Sequence, residues 1–185
     1  MIFAEHALLP DGWAEQVRIT VEEGTIRSVV TSTAAHPGDA RVSALLPALS
    51  NLHSHTFQRA MAGMTEHRVA GRDSFWTWRE LMYRFLDRLT PDQMEAIAAL
   101  AFMEMQEAGY AAVGEFHYVH HQPGGAAYAN IAELTCRIFA AASLTGIGLT
   151  HLPVLYTYGG AGQQPLSDGQ LRFGNDVDRF ADLLQ

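Results

Sequence analysis

The sequence predicts an α/β fold in which a small β meander, residues 1–46, precedes parallel βα units, residues 47–185. Two observations support this prediction. In the first segment apolar and polar residues alternate, which is typical of strands with one buried face. In the second segment the periodicity indicates strand, helices, strand, helix and strand in turn. This order favours parallel strands that are joined by right-handed crossovers.

The composition is that of an ordinary globular chain, and it limits the partners that we expect. Of the 185 residues, 48% are hydrophobic and 17% are charged, which suits a domain with a sizeable core. The formal net charge of −8 argues against a nucleic-acid partner. The single cysteine, Cys136, fits a reducing compartment and therefore a cytoplasmic protein. We find no secretory signal and no apolar run long enough for a membrane span, so no membrane partner is expected.

Two turn signals, Asp-Gly at residues 11–12 and Glu-Gly at residues 23–24, divide the meander into strands. Alternation in the second strand places three apolar residues on one face. These are Val17, Ile19 and Val21. We interpret His6 and His36 as solvent-exposed residues, and we expect no chemistry from this segment.

The second segment opens with "VSALLPALSNL", an apolar run interrupted by Pro47 that predicts the entry of a buried strand. "DSFWTWRELMYRFLDRL", residues 73–89, predicts a helix because large apolar residues recur at helical spacing. They are Phe75, Trp78, Met82, Phe85, Leu86 and Leu89. The next helix has clearer boundaries. Thr90 is an N-cap that is followed by proline, Gln93 completes a capping box, and Gly109 ends the helix.

Three further elements complete the pattern. Residues 110–116 and residues 147–156 predict strands, and residues 126–146 between them predict a helix that a glycine closes. The final "DVDRFADLLQ" predicts a helix that continues past Gln185. Such units build either an open doubly wound sheet or a (β/α)₈ barrel. Three strands cannot close a barrel, which needs roughly 200 residues or more, so we expect the N-terminal part of a longer protein.

His53 and His55 are the first candidates for chemistry. In a strand, residues i and i+2 point to the same side, so both imidazoles can face one point. That suits a cation with metal–nitrogen distances of about 2.0–2.1 Å. Imidazoles suit zinc, iron and nickel alike. The alternative is a pair of hydrogen-bonded histidines on a polar strand end, because the pattern is short and a catalytic zinc needs three protein ligands.

Polar and aromatic residues collect at all three predicted strand exits, which is where barrel enzymes place their active sites. Besides the two histidines they are Gln58, Arg59, Glu115, His117, Tyr118, His120, His121, Tyr156 and Tyr158. The collection favours a metal-dependent site. Taken singly, His117, His120 and His121 are expected to be solvated loop residues. His151 lies inside the third strand and is expected to be a satisfied core residue.

Arg79 lies on the edge of the apolar stripe of its helix, about 40° from Phe75 on the helical wheel. A guanidinium that faces inward needs an anionic or carbonyl partner. A substrate carboxylate could bind it in a bidentate fork. The alternative is an arginine whose head reaches water or a local acid.

Four segments, "LLPALSNLHSHTFQRAMAGMTE", "DSFWTWRELMY", "AAVGEFHYVHH" and "LPVLYTY", resemble the formimidoylglutamate deiminase branch of the amidohydrolase superfamily. The resemblance covers nearly the whole chain from about residue 42. It implies the N-terminal part of a metal-dependent-hydrolase (β/α)₈ TIM-type barrel, with the meander as part of a flanking β-sandwich domain. The implied reaction is hydrolysis of N-formimidoyl-L-glutamate to N-formyl-L-glutamate and ammonia, a step of histidine degradation.

The resemblance also implies roles for individual residues. Two positions match metal ligands, with zinc as the expected ion: His53 and His55. Three positions match substrate-binding residues: Gln58, Arg79 and Tyr118. Ala48 departs from the family, which usually has a glycine there, and we expect only a local backbone adjustment.

The remaining family ligands, a histidine and an aspartate, and the glutamate acid/base would come from strands beyond residue 185. We therefore expect this chain alone to be inactive, and its exposed sheet edge favours self-association into a homo-oligomer. Two alternatives are an aminohydrolase of the guanine or chlorotriazine type and a non-catalytic truncated remnant. Arg79 favours a carboxylate-bearing substrate over a ring.

Overall fold

The structure, a computed structural model, describes residues 1–65 and 75–185. It has the predicted α/β character and divides into two compact units, Met1–Ala48 and Leu49–Gln185. Within the described residues, no helix combines the length and the apolarity that a membrane span requires.

The first unit is a four-stranded sheet. Its strands are β1 (Ile2–Leu9), β2 (Gly12–Glu22), β3 (Thr25–Val30) and β4 (Ala40–Leu45), in the order β3-β2-β1-β4. The two predicted hairpins are confirmed, because β1–β2 and β2–β3 are antiparallel, whereas β4 is parallel to β1. Ala4, Ala7, Val17 and Ile19 form the core of this unit.

The prediction for Val21 was wrong. Its side chain is 37% exposed, although Val17 and Ile19 on the same strand are buried. The pairing of β2 with β3 shifts register between Thr20 and Val21. An irregularity of this kind breaks the two-residue alternation, so the residues beyond it no longer share the buried face.

The second unit contains a parallel sheet with the strand order β5-β6-β7, which confirms the predicted parallel arrangement. The strands are β5 (Leu49–Ser54), β6 (Tyr110–His117) and β7 (Gly148–Pro153). The helices are α1 (Phe75–Leu86), α2 (Pro91–Glu107), α3 (Glu133–Thr145) and α4 (Val177–Leu183). Among the described residues, three short 3₁₀ helices lie at Thr56–Met61, Pro123–Gly125 and Asp168–Gln170. Asp73 and Ser74, the first residues of the predicted helix 73–89, lie outside the described residues.

The predicted capping box of α2 is confirmed. The Thr90 hydroxyl accepts a hydrogen bond from the Gln93 backbone N–H at 3.3 Å, and the Gln93 side chain accepts one from the Thr90 backbone N–H at 3.1 Å. Gly109, with φ +90°, follows the helix. Helix α3 begins later than predicted. The Asn130 side chain accepts a hydrogen bond from the Ala132 backbone N–H at 3.0 Å, and such local turns compete with helix formation.

Helices α2 and α3 pack together and cover one face of the sheet. Their buried residues share one hydrophobic core with Val113 of β6. The predicted burial of the run "VSALLPALSNL" was wrong. The run is split between β4 and β5, and Leu52 of β5 is 84% exposed. Strand β5 is an edge strand of its sheet, and Leu52 is not part of the core of this unit.

Candidate metal and substrate site

The paired histidines converge at the carboxyl end of β5. His53 lies in the strand, and His55 follows its last residue. The two Nε2 atoms are 3.1 Å apart, and the ring planes are nearly perpendicular, at 82°. The structure therefore brings together the two imidazoles that the sequence predicted to face one point.

The neighbouring strand fixes the orientation of His55. Its Nδ1 lies 2.9 Å from the backbone carbonyl oxygen of Phe116 in β6. A carbonyl only accepts, so Nδ1 carries the proton and the Nε2 of the neutral ring presents a lone pair. Burial lowers the pKa of His55, and the nearby His53 acts in the same direction. Both effects favour the neutral imidazole that a metal requires.

The pair fits a divalent ion. Two nitrogens at about 2.0–2.1 Å from a tetrahedral ion lie roughly 3.3 Å apart, close to the observed 3.1 Å. A backbone carbonyl that holds the second ring nitrogen is also usual for metal-binding histidines. In residues 1–65 and 75–185, however, no group of three or more His, Cys, Asp or Glu side chains could hold a metal. The pair thus offers two ligands, fewer than a catalytic zinc needs.

A cavity of about 370 Å³ opens beside His55, and the three predicted substrate-binding residues line it. They are Gln58, Arg79 and Tyr118. The rest of the wall is largely aromatic: Phe75, Trp78, Met82, Tyr83, Tyr156, Gly159 and Phe173. One candidate metal ligand and a cationic side chain therefore face the same space, with two neutral hydrogen-bonding groups beside them. A volume of this size suits a small organic molecule.

Gln58 and Tyr118 form a hydrogen-bonded pair in this wall. The Gln58 Nε2 donates to the Tyr118 hydroxyl oxygen at 3.2 Å, and that hydroxyl lies 3.6 Å from the Met82 sulfur. Burial raises the pKa of Tyr118 to about 12. The phenol therefore stays protonated near neutral pH and can donate to a ligand in the cavity.

Aromatic rings hold Arg79 in the wall. Its Nε donates to the Tyr83 hydroxyl. The guanidinium carbon lies 5.6 Å from the ring centre of Trp76 and 5.3 Å from that of Tyr83, so both rings contribute cation–π attraction. In the part of the chain that the structure describes, no carboxylate is within ion-pair distance of Arg79. The local acid that was one alternative is therefore not found there.

A larger cavity, of about 590 Å³, lies apart from the histidine pair. Its lining is mostly apolar, with Arg84, Arg88 and Gln93 at its edges. None of the candidate site residues lines it. Of these two cavities, the smaller is therefore the better candidate site, because the candidate metal and substrate residues line it.

Two other groups at the strand exits lie outside the site. Arg59 forms an ion pair with Glu104 of α2, with the Arg59 Nη2 2.6 Å from the Glu104 Oε1. Tyr158 is exposed and does not line the cavity, whereas Tyr156 does.

The expectation that His117, His120 and His121 are solvated was wrong. Their exposed fractions are 2%, 1% and 0%. The backbone N–H groups of His120 and His121 both donate to the carbonyl of Arg172, at 2.9 and 3.0 Å. This contact packs the segment after β6 against Arg172 and helps to bury His120 and His121, whereas His117 is buried as the last residue of β6.

His151 is only partly satisfied, contrary to the expectation of a satisfied core residue. Its Nε2 lies 3.2 Å from the Thr135 hydroxyl, but its Nδ1 is buried and has no hydrogen-bond partner in residues 1–65 or 75–185. Burial lowers the pKa of His151 to about 4. Its ring centre is 4.9 Å from that of His117, which in turn is 5.4 Å from that of His120. These rings form a cluster of their own and do not line the cavity beside His55.

Sequence reasoning assigned no role to Glu115. Its side chain is 1% exposed, and one carboxylate oxygen accepts hydrogen bonds from the backbone N–H and the hydroxyl of Thr56, at 2.8 and 2.9 Å. Burial raises the pKa of this carboxyl, and the hydrogen bonds from Thr56 and Ser54 oppose the effect. Alternation in β6, with Val113 and His117 also buried, was a signal that could have placed this side chain inward.

Arg172 was also missed, because the sequence around it has no helical or strand periodicity. Its buried guanidinium donates to the backbone carbonyls of His121 at 2.7 Å and Leu89 at 3.1 Å, and to that of Leu86. Arg172 therefore connects the end of α1, the helix that carries Arg79, to the segment after β6.

Comparison with known proteins gives two sequence relationships. The family model described as "Formimidoylglutamate deiminase HutF, N-terminal domain" matches residues 1–43. A formimidoylglutamate deiminase from Pseudomonas aeruginosa is 54% identical over 185 residues, which are 100% of this chain and 41% of that protein. These matches confirm the resemblance that the sequence motifs indicated.

Solved structures give a consistent result. An amidohydrolase from Brucella melitensis matches with a TM-score of 0.94 at 51% identity, over 99% of this chain and 41% of that one. Atrazine chlorohydrolase from Arthrobacter aurescens, solved in complex with zinc, matches with a TM-score of 0.68 at 19% identity, over 97% of this chain and 40% of that one. An adenosine deaminase from Xanthomonas campestris with bound zinc gives 0.61 at 16% identity, over 91% and 36% of the two chains. The last two likenesses concern the fold alone.

Proposed function

We propose that the whole protein is a formimidoylglutamate deiminase. This chain corresponds to the N-terminal part of an amidohydrolase similar to that enzyme. The whole protein hydrolyses N-formimidoyl-L-glutamate to N-formyl-L-glutamate and ammonia, in the cytoplasm, as a step of histidine degradation. The chain spans 41% of the length of the relative it matches, so this activity belongs to the whole protein. This chain alone is inactive, because the described residues offer two metal ligands and no proton shuttle.

One observation carries the proposal. The cavity beside His55 is lined by Arg79, Gln58 and Tyr118, and His55 faces His53 across 3.1 Å. A ligand there meets one histidine of the metal-binding pair together with a cation and neutral donors. A zwitterionic, carboxylate-bearing amidine matches these groups better than an uncharged ring does.

His53 and His55 would hold one divalent metal, and zinc is the ion that we propose. Support comes from the spacing and tautomer of the pair and from the zinc in two proteins of similar fold. When bound, such an ion supplies an activated water near neutral pH and polarises the amidine. The further ligands and the general acid/base belong to parts of the protein outside this chain.

Arg79 binds a carboxylate of the substrate. Its Nε is occupied by the Tyr83 hydroxyl, and the rings of Trp76 and Tyr83 restrict the guanidinium plane. The remaining edge of the guanidinium matches a carboxylate in a bidentate geometry. Gln58 and Tyr118 orient the glutamate portion through uncharged hydrogen bonds.

We further propose that the two units are parts of a larger architecture. The strands of the first unit belong to a small β-sandwich domain, and residues 47–185 form the first βα units of a (β/α)₈ TIM-type barrel. Support comes from the parallel sheet β5-β6-β7 with helices α2 and α3 on one face. Further strands from the rest of the protein would cover Leu52, which is exposed in this chain.

The test is release of ammonia by the whole protein, with formimidoylglutamate and with guanine as alternative substrates. We expect turnover of formimidoylglutamate only. Arg79→Met should lower kcat/KM roughly 10- to 100-fold, the effect of losing a charged hydrogen bond. Arg84→Met removes an exposed arginine from the same helix and should leave kcat/KM unchanged. Ammonia from guanine alone would show that the substrate class is wrong.

A further inference from the structure

We propose that Glu115 is a positioning residue for the His53–His55 pair, a role that rests on the metal site proposed above. The carboxylate lies in β6 directly opposite Ser54, the last residue of β5, and is almost completely buried. It does not line the cavity, so it does not contact a ligand there. Its effect on the site must therefore pass through the residues that it holds.

Glu115 holds the two residues that flank His55. One carboxylate oxygen accepts both the backbone N–H and the hydroxyl of Thr56, and Ser54 is paired directly with Glu115 across the two strands. The next residue of β6, Phe116, accepts the proton of the His55 Nδ1. Three consecutive residues, 54–56, are thus attached to two consecutive residues of the neighbouring strand.

These hydrogen bonds hold residues 54–56 at the point where the regular pairing of β5 with β6 ends. The pairing of β5 with β6 is irregular between Asn51 and Ser54, and the 3₁₀ helix Thr56–Met61 starts immediately after His55. The first N–H groups of a helix have no partner within the helix. A buried carboxylate that accepts one of them fixes where the chain turns, and so fixes the direction of the His55 side chain.

A purely structural role would not need a carboxylate. A glutamine could accept the same Thr56 N–H without the cost of burying an acid. The second carboxylate oxygen of Glu115 is buried and has no partner among the described residues. Glu115 also interacts electrostatically with His53. A bound cation would favour the ionised form of this carboxyl against the effect of burial. The ionised carboxylate in turn strengthens the hydrogen bonds from Thr56 that orient the pair.

The experiment measures the dissociation constant of Zn²⁺ for the whole protein by competition with a chelating dye. Glu115→Gln should weaken zinc binding roughly 10- to 100-fold, as expected for a group that orients a metal ligand. The visible spectrum of the Co²⁺-substituted protein should change as well. Glu104→Gln makes the same chemical change in a partly exposed glutamate and should leave the dissociation constant unchanged.

Two further variants keep the test informative if Glu115→Gln folds poorly. Thr56→Val removes one of the two hydrogen bonds to the carboxylate while keeping the side-chain shape, and should weaken zinc binding several-fold. Thr56→Ser keeps the hydroxyl and should bind zinc as the unaltered protein does. Thermal unfolding in the presence of a chelator reports the stability of the metal-free fold separately.

The outcomes separate the two proposals. His55→Ala should abolish tight zinc binding, and an unchanged affinity would overturn both the metal site and the positioning role. If His55→Ala abolishes binding but Glu115→Gln and Thr56→Val keep the original affinity, the metal site stands and the positioning role is overturned. If these two variants unfold at a lower temperature in chelator but bind zinc with unchanged affinity, Glu115 has a structural role only. That result also overturns the positioning role.

Discussion

Acid should destabilise this protein through the histidines buried after strand β6, and His120 gives the clearest magnitude. Its side chain is 1% exposed, and its Nε2 lies 3.0 Å from the Val154 carbonyl oxygen, so that nitrogen carries the proton. The other ring nitrogen is buried and has no hydrogen-bond partner within the described part of the chain. Burial lowers the pKa of His120 to about 4, and the nearby Arg179, His121 and His151 act in the same direction.

The sign follows from proton uptake on unfolding. The unfolded chain binds a proton at His120 with a pKa of about 6.5, whereas the folded protein binds it only near 4. The stability is therefore fully present above pH 6.5 and is lost as the pH falls toward 4. This difference in pKa lowers the free energy of unfolding by about 2 kcal/mol at pH 5 and by about 3 kcal/mol below pH 4.

The assay is urea unfolding of the whole protein, followed by circular dichroism, at about pH 7.5 and about pH 5. His120→Gln retains an N–H donor for the Val154 carbonyl but does not titrate. Between the two pH values this variant should lose about 2 kcal/mol less unfolding free energy than the unaltered protein loses. His6→Gln changes an exposed histidine and should lose as much as the unaltered protein. Equal losses in all three proteins would refute the reasoning, because His120 would then not be held neutral by the fold.

Three further substitutions test other parts of the unit. Tyr118→Phe removes the hydroxyl that accepts from Gln58, and KM for formimidoylglutamate should rise about tenfold with little change in kcat; an unchanged KM would contradict substrate contact. Arg172→Met leaves the buried carbonyls of His121 and Leu89 without their donor, while the Leu86 carbonyl keeps the N–H of Leu89. The substitution should lower the unfolding free energy by about 2–4 kcal/mol in urea; a loss below about 0.5 kcal/mol would contradict this. Gly169→Ala adds a Cβ that overlaps the ring of Tyr83, whose hydroxyl holds Arg79 in the cavity wall. Displacement of that ring should raise KM for formimidoylglutamate. An unchanged KM would show that the ring moves without affecting the site.

Local signals in the sequence predicted the elements whose boundaries depend on neighbouring residues. The capping box at Thr90 and Gln93 needs only four consecutive residues, and the structure shows it as predicted. The two hairpins of the first unit likewise follow from short turn sequences. The convergence of His53 and His55 also follows from strand geometry, since i and i+2 share a side.

Features that depend on distant parts of the chain were not predictable. His120 and His121 are buried because Arg172, about fifty residues later, accepts their N–H groups. The sequence near them is polar and indicates an exposed loop. The role of Glu115 depends on Thr56, 59 residues earlier, and no local pattern connects the two. Long-range hydrogen bonds of this kind leave no periodicity in a single sequence.

The contact between His55 and Phe116 has a consequence for how this site tolerates mutation. The group that fixes the ring of His55 is the main-chain carbonyl of residue 116, and the side chain of that residue plays no part in the bond. Any amino acid at position 116 brings the same oxygen, so a missense change there leaves the tautomer intact. Insertion or deletion of one residue in β6 would instead move a different carbonyl into place. The Phe116 ring packs against the rings of His53 and His55. In a saturation-mutagenesis library, position 116 should therefore accept other aromatic residues, whereas single-codon insertions between positions 112 and 116 should be lost.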